Sequence, residues 1–298
     1  MRPQYIGRET EESEKLVEFI SSDTSDKGHW ETYREFLRYF LDNYDLKYFK
    51  SWFVVRAIPI WGGGGWSGPT DEKAHLGIIV NFLEKTQDPR WEKILEEEMD
   101  FYSEPEHSRT IDLTIKGQLF QAERSRIQHF YHWATLHKAG IRPQSLDYIF
   151  EFGGGVGHIP KLVKQLGFTG AYTIYDFPEL SKIQSYYNAN SIETISGHSS
   201  LEELDVPEGK SLFYSTWAFS EAPQETRKAM EKHFRKFDTI FILYQRRHAD
   251  IDNKEYFEEE AGMVSSKFTE GFPEINWTTA DHPSLWDGGS RYLIGTKS

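Results

Sequence analysis

The chain has 298 residues, with 34 Lys and Arg against 47 Asp and Glu, a net charge of −13 and no cysteine. Such a surface repels phosphate backbones and anionic lipid, which argues against nucleic-acid and membrane partners. The missing thiols exclude disulfides, thiolate nucleophiles and cysteine-based metal sites. Residues 1–15 are polar and acidic, unlike a signal peptide, and apolar runs such as 240–244 are too short to cross a bilayer, so a cytoplasmic location is expected.

Residues 1–142 read mainly as helices. Over 30–48, Tyr33, Phe36, Leu37, Phe40, Leu41 and Tyr44 recur at intervals of one, three and four, an amphipathic stripe. Residues 91–102 and 119–138 read likewise, with Leu119, Ile127, Phe130, Tyr131 and Ala134 near one face of the latter. Between the first two lies Trp61-Gly62-Gly63-Gly64-Gly65-Trp66-Ser67-Gly68-Pro69, read as a surface loop over buried tryptophans or as a lid. No Lys-Ser/Thr follows its glycines, so it is not a phosphate loop. His129 and His132 stand one helical turn apart without a third ligand, which favours packing over metal; Tyr131, His132 and Trp133 are alternatively lining for an acceptor pocket. Arg142-Pro143 marks the boundary, because proline pushes its predecessor out of the helical region. Residues 1–142 are therefore expected to form an acceptor pocket, a lid or the interface of a homodimer.

Residues 143–298 alternate between short apolar runs and helical patterns, which predicts a mostly parallel sheet. Strands are expected at 147–152, 171–176, 191–195, 211–216 and 238–245. Helices are expected at 156–166, 178–188, 223–237 and 253–267, and two closing strands at 275–280 and 291–296. The fold class is α/β.

The first of these strands runs into Glu151-Phe152-Gly153-Gly154-Gly155-Val156-Gly157. Glycines where a strand turns into a helix permit a tight turn and close backbone approach to a ligand. Asp176 ends the second strand, where a carboxylate can accept hydrogen bonds from two ribose hydroxyls. The spacing differs from the dinucleotide pattern, since position 158 is His, and Glu151 is a poor neighbour for pyrophosphate but a good one for an ammonium.

These residues, with Thr173-Ile174-Tyr175-Asp176-Phe177-Pro178-Glu179-Leu180, resemble motifs I and II of class I S-adenosylmethionine-dependent methyltransferases. Trp217-Ala218-Phe219-Ser220-Glu221 and Tyr186-Tyr187-Asn188 are similar to elements of bacterial sugar O-methyltransferases. The resemblance covers residues 147–298. It implies a Rossmann-like seven-stranded sheet whose last strand is antiparallel, with S-adenosylmethionine as cofactor and a sugar or glycoside hydroxyl as acceptor. It places Glu151, Gly153, Gly154, Gly155 and Gly157 at the methionine part, Asp176 at the ribose and Phe177 at the adenine edge. His198 or Ser199 would lie near the adenine amino group, and Tyr214, Ser215 and Trp217 beside the sulfonium.

A hydroxyl acceptor needs its proton removed as the methyl bond forms. Plant-type relatives use a histidine after the fourth strand, but residues 215–222 hold none. His248, past the fifth strand and oriented by Asp250, is one expected base, and Glu221 is a second. Arg246 and Arg247 are read as solvated charges or as a clamp for an anionic acceptor. Asp250 and Asp252 suggest Mg²⁺ only as a bare pair, short of the ligands that ion takes. Methylation of a phenolic or polyketide hydroxyl, an NAD-dependent oxidoreductase and a non-catalytic nucleoside-binding scaffold stand as alternatives.

Overall fold

A computed structural model describes residues 29–52, parts of 77–94, residues 110–188 except 116, residues 192–258 except 197–198 and 249–250, and residues 267–282 and 290–297. The expected lid at 61–69, His198 and Asp250 lie outside the described residues.

Helix α1 spans His29–Asn43, with Glu31 in its positive first turn. Its stripe of Tyr33, Leu37, Phe40 and Tyr44 is buried. Beyond it, Asp45 accepts from the Lys47 N–H and caps a 3-10 turn over Leu46–Ser51. A hairpin of β1 (Thr110–Ile115) and β2 (Gln118–Glu123) follows, and then α2 (Arg124–Lys138). The hairpin corrects the helix expected from 119. Pairing of Ile115 with Gln118 leaves a two-residue loop, and Gly117 supplies the positive φ (83°) that such a tight turn requires. Ile111, Leu113 and Ile115 alternate with period two, the strand signature that the helical reading passed over.

The remainder builds one sheet. Strands β3 (Tyr148–Phe152), β4 (Ala171–Asp176), β5 (Glu193–Ser196), β6 (Ser211–Thr216) and β7 (Thr239–Tyr244) are parallel, and β10 (Ile275–Asp281) and β11 (Arg291–Lys297) complete it. The spatial order is β10-β11-β7-β6-β3-β4-β5, with β11 antiparallel to both neighbours. Helices α3 (His158–Gln165), α4 (Pro178–Tyr187), α5 (Ser199–Glu202), α6 (Ala218–Glu221) and α7 (Gln224–Glu231) connect the strands. A small ladder of β8 (Arg247–His248) and β9 (Ile251–Asp252) leads into α8 (Asn253–Phe257) and later α9 (Lys267–Glu270). The continuous helix expected over 253–267 is not formed, since α8 stops at Phe257 and Glu258 is extended.

Side chains alternate across the sheet into two cores, which is why its central strands read as unbroken apolar runs. Ile149, Tyr214, Phe241 and Tyr292 pack with Trp133 of α2 and with Ile159, Leu162 and Val163 of α3. Phe150, Phe213, Ile240 and Leu293 face Phe219, Met230 and Phe234 on the other side. A third cluster joins α1 to Val156 of the glycine turn and to Leu180 and Ile183 of α4. Helix α1 thus meets the sheet at the edge where its parallel strands end, while α2 packs against one of its faces.

Candidate active site

The turn leaving β3 is held from below and from the side. Gly153, Gly155 and Gly157 all have positive φ (79°, 56° and 87°), conformations that side-chain-bearing residues pay to adopt. The Gly153 N–H donates to the Tyr175 carbonyl at 2.9 Å. Asp176 stands at the end of the adjacent strand. Its Oδ2 accepts from the Gly155 N–H at 2.9 Å and from Gln184 Nε2 at 2.8 Å, and its Oδ1 accepts from the Phe177 N–H at 2.8 Å. Gln184 also donates to the Gly155 carbonyl (2.8 Å), and Asn188 Nδ2 donates to the Gly157 carbonyl (3.1 Å). This pair, Gln184 on α4 and Asn188 at its C-cap one turn on, clamps the glycine turn. Gln184 escaped the sequence reading because amides on a helix carry no spacing that sets them apart from solvated ones; Asn188 was noticed only through its neighbours.

Both carboxylates are buried and uneasy. Glu151 turns toward the α2 and α3 side of the sheet, where its Oε2 accepts from the Tyr172 hydroxyl at 2.7 Å. Burial pushes its pKa up to about 8, against the pull of that hydrogen bond. Burial likewise raises Asp176 to about 7, opposed by its amide donors. A buried carboxyl held near neutrality accommodates an approaching cation or hydroxyl donor readily.

The remaining expected residues divide by location. Phe177 lies under α1, 6.1 Å from the Trp30 ring and 4.9 Å below the Arg34 guanidinium. Glu179, the next carboxylate on, binds Arg34 at 3.0 Å and Arg38 at 2.7 Å, so an ion-paired strap holds α1 over this corner. Ser199 begins α5. Tyr214 is buried between the Trp133 and Phe241 rings, stacked at 5.8 and 5.3 Å. Ser215 uses its hydroxyl on backbone, donating to the Phe152 carbonyl at 2.9 Å and accepting from the Phe219 N–H at 3.0 Å. Trp217 has φ 63° and ψ −42°, close to the rare γ-turn conformation, and is the sole non-glycine residue of positive φ among the described residues. Strain of this kind concentrates at functional sites. Its neighbour Ala218 abuts Gly153 so closely that a Cβ on the glycine would stand 2.0 Å from the Ala218 Cβ.

Glu221 is buried at the C-terminal end of α6, and burial raises it to about 7. It accepts from Gln245 Nε2 at 3.0 Å, and Gln245 Oε1 in turn accepts from the Ser220 hydroxyl at 2.7 Å. Below this chain, the fully buried Arg227 donates to the Ser220 and Ala222 carbonyls and to Asn253 Oδ1, with Tyr256 beneath its guanidinium. Arg227→Ala is expected to strip these acceptors of their donor and to cost about 3 kcal/mol or more, read as a fall in the urea midpoint. His248 lies in the short β8 ladder opposite Ile251, and exposed Arg247 pairs with Asp252 at 3.4 Å. Among the described residues, no cluster of three or more metal-ligating side chains occurs, and no helix is long and apolar enough to cross a membrane.

No protein-family model matches the chain, and no curated protein matches it in sequence. Solved structures similar to it include a chain from a Haloferax volcanii complex of the Trm112 methyltransferase activator (14% identity, TM-score 0.41, 58% of this chain and 92% of that one). Another is an S-adenosylmethionine-dependent methyltransferase from Aquifex aeolicus (12% identity, TM-score 0.40, 59% and 94%). A third is a Pyrococcus horikoshii protein (12% identity, TM-score 0.40, 59% and 91%). The strand order and the single antiparallel strand make this a Rossmann-like seven-stranded sheet, the arrangement implied by the resemblance at residues 147–298.

Proposed function

We propose that the protein is an S-adenosylmethionine-dependent O-methyltransferase acting on a sugar or glycoside hydroxyl. The observation that supports this most is the glycine turn bonded to the buried Asp176 and lying beside the buried Glu151 at the C-terminal edge of the sheet, where open α/β sheets take their ligands. The residues fit the cofactor. Nothing stands within 4 Å of a Cβ built on Gly155, which leaves that part of the turn open to a ligand. Asp176 would accept from the ribose hydroxyls, Glu151 would hold the amino group, Phe177 would border the adenine, and Tyr214, Ser215 and Trp217 would frame the sulfur end. When bound, the cofactor supplies a methyl group on a sulfonium, already an excellent leaving group. What remains for the protein is to align the acceptor oxygen, exclude water and take a proton.

Glu221, and His248 oriented by Asp250, are the candidates for that last task from the sequence, and α1 with the rest of residues 1–142 would close over the acceptor or pair two copies. The half-buried Trp217 face suits the C–H face of a sugar ring, and a phenolic acceptor would stack there as well.

Calorimetry with S-adenosylhomocysteine tests the reading. The expected result is binding that Asp176→Asn weakens about tenfold or more through loss of a charged hydrogen-bond acceptor. Tight binding of a nicotinamide dinucleotide in its place would overturn it.

A further inference from the structure

An imidazole cluster stands at the β10–β11 side of the sheet. Strand β10 runs parallel to β7, because both are antiparallel to the β11 between them. Its C-terminal end therefore opens at the same edge as the glycine turn. His282 follows it directly and is anchored there by its own N–H, which donates to the Ser290 carbonyl at 3.0 Å. The His282 ring lies 5.7 Å from the Trp217 ring and 5.7 Å from His132 of α2, and the His132 ring lies 5.6 Å from Trp217. His132 is fully buried, and its Nδ1 is 2.7 Å from the Tyr292 hydroxyl, which fixes the plane of that ring. The strained Trp217 thus joins two imidazoles on one side to Ala218 and Gly153 on the other.

We propose that His282 is the base that receives the acceptor proton and that His132, held by Tyr292, is a positioning residue for it; this rests on the methyltransferase reading above. The acceptor oxygen forms its bond to the methyl carbon as the carbon–sulfur bond breaks, and the bonding pair leaves on sulfur as a neutral thioether. The hydroxyl proton passes to the neutral His282 imidazole and from there to water. A base here meets the acceptor from the β10–β11 side, whereas Glu221 already accepts from Gln245.

The test uses the full chain carrying ¹³C-labelled histidine. S-adenosylhomocysteine and sinefungin, an analogue with an ammonium at the methyl position, are titrated by calorimetry and NMR. His282→Gln assigns the signal, with His282→Asn in reserve should the first variant not fold. Among the described residues, the groups facing His282 include His132 and Tyr131 of α2, Tyr292 of β11 and Trp217, with Asp281 beside it in sequence. The expected result is binding of both ligands, with the His282 ring signal displaced several times further by sinefungin than by S-adenosylhomocysteine. On any methyl glycoside that supports turnover, His282→Gln then lowers kcat about 100-fold or more with little change in cofactor KM. Identical His282 signals in the two complexes, or a response confined to His248, would overturn the proposal. Failure of both ligands to bind would instead remove the cofactor reading on which it stands.

Discussion

Gly153→Ala is expected to abolish detectable cofactor binding while leaving a folded but less stable chain. The residue has φ 79°, and a Cβ there would stand 2.0 Å from the Ala218 Cβ. The left-handed conformation alone costs roughly 1–2 kcal/mol for an ordinary residue. The contact adds more, because relief requires moving either the glycine turn or the start of α6. Both border the proposed sulfur end of the site, so affinity for S-adenosylhomocysteine should fall about 100-fold or more, which corresponds to about 3 kcal/mol. Gly155→Ala is the matched control for folding, since with φ 56° and nothing within 4 Å of a built Cβ it should cost far less stability, while its methyl enters the space proposed for the ligand. Ala218→Gly added to Gly153→Ala removes the opposing methyl and should restore part of the affinity, which calorimetry on the four proteins of the cycle measures. Wild-type affinity in Gly153→Ala would show that the turn does not touch the ligand.

The second large effect concerns protons. Glu151 is raised to about 8 and Asp176 to about 7, so near pH 7 the ligand-free site holds protons that the unfolded chain has already lost. The stability these groups contribute is fully present below the ordinary carboxyl range and is lost as pH rises through their folded values. Melting of the ligand-free protein should therefore fall between pH 5 and 8, with Glu151 responsible for a few kcal/mol. Glu151→Gln should flatten that slope. Contact with an ammonium lowers a carboxyl pKa, so cofactor binding should release protons and tighten from pH 6 to 7.5. Calorimetry in buffers of different ionisation enthalpy reads that release, and Glu151→Gln should lose most of it. Equal heats in all buffers would remove Glu151 from the ammonium site.

Much of the proposed cofactor corner was legible from residues alone because it is local. A glycine turn between strand and helix, with a carboxylate ending the next strand, is written in adjacent residues and a fixed offset, and the Gly155 N–H meets Asp176 as that offset implies. Gln184 reaches the same turn from α4, a helix whose place followed from Pro178, but its side chain carried no distinguishing pattern. The hairpin at Thr110–Glu123 was overrun by helical spacing that began, in truth, only at Arg124.

The alternation of apolar runs and helices determined the α/β class, because burial on both faces forces continuous apolar strands, and the resemblance at residues 147–298 added a seven-stranded sheet with its last strand antiparallel, whereas the spatial order of the strands was set by the tertiary structure. Only the tertiary structure brought His132, Trp217, His282 and Tyr292 together, from α2, the β6–α6 turn and the β10–β11 end. Their separation of up to 160 residues leaves no trace in spacing, since such contacts are set by how helices and strands pack and not by the chain that links them.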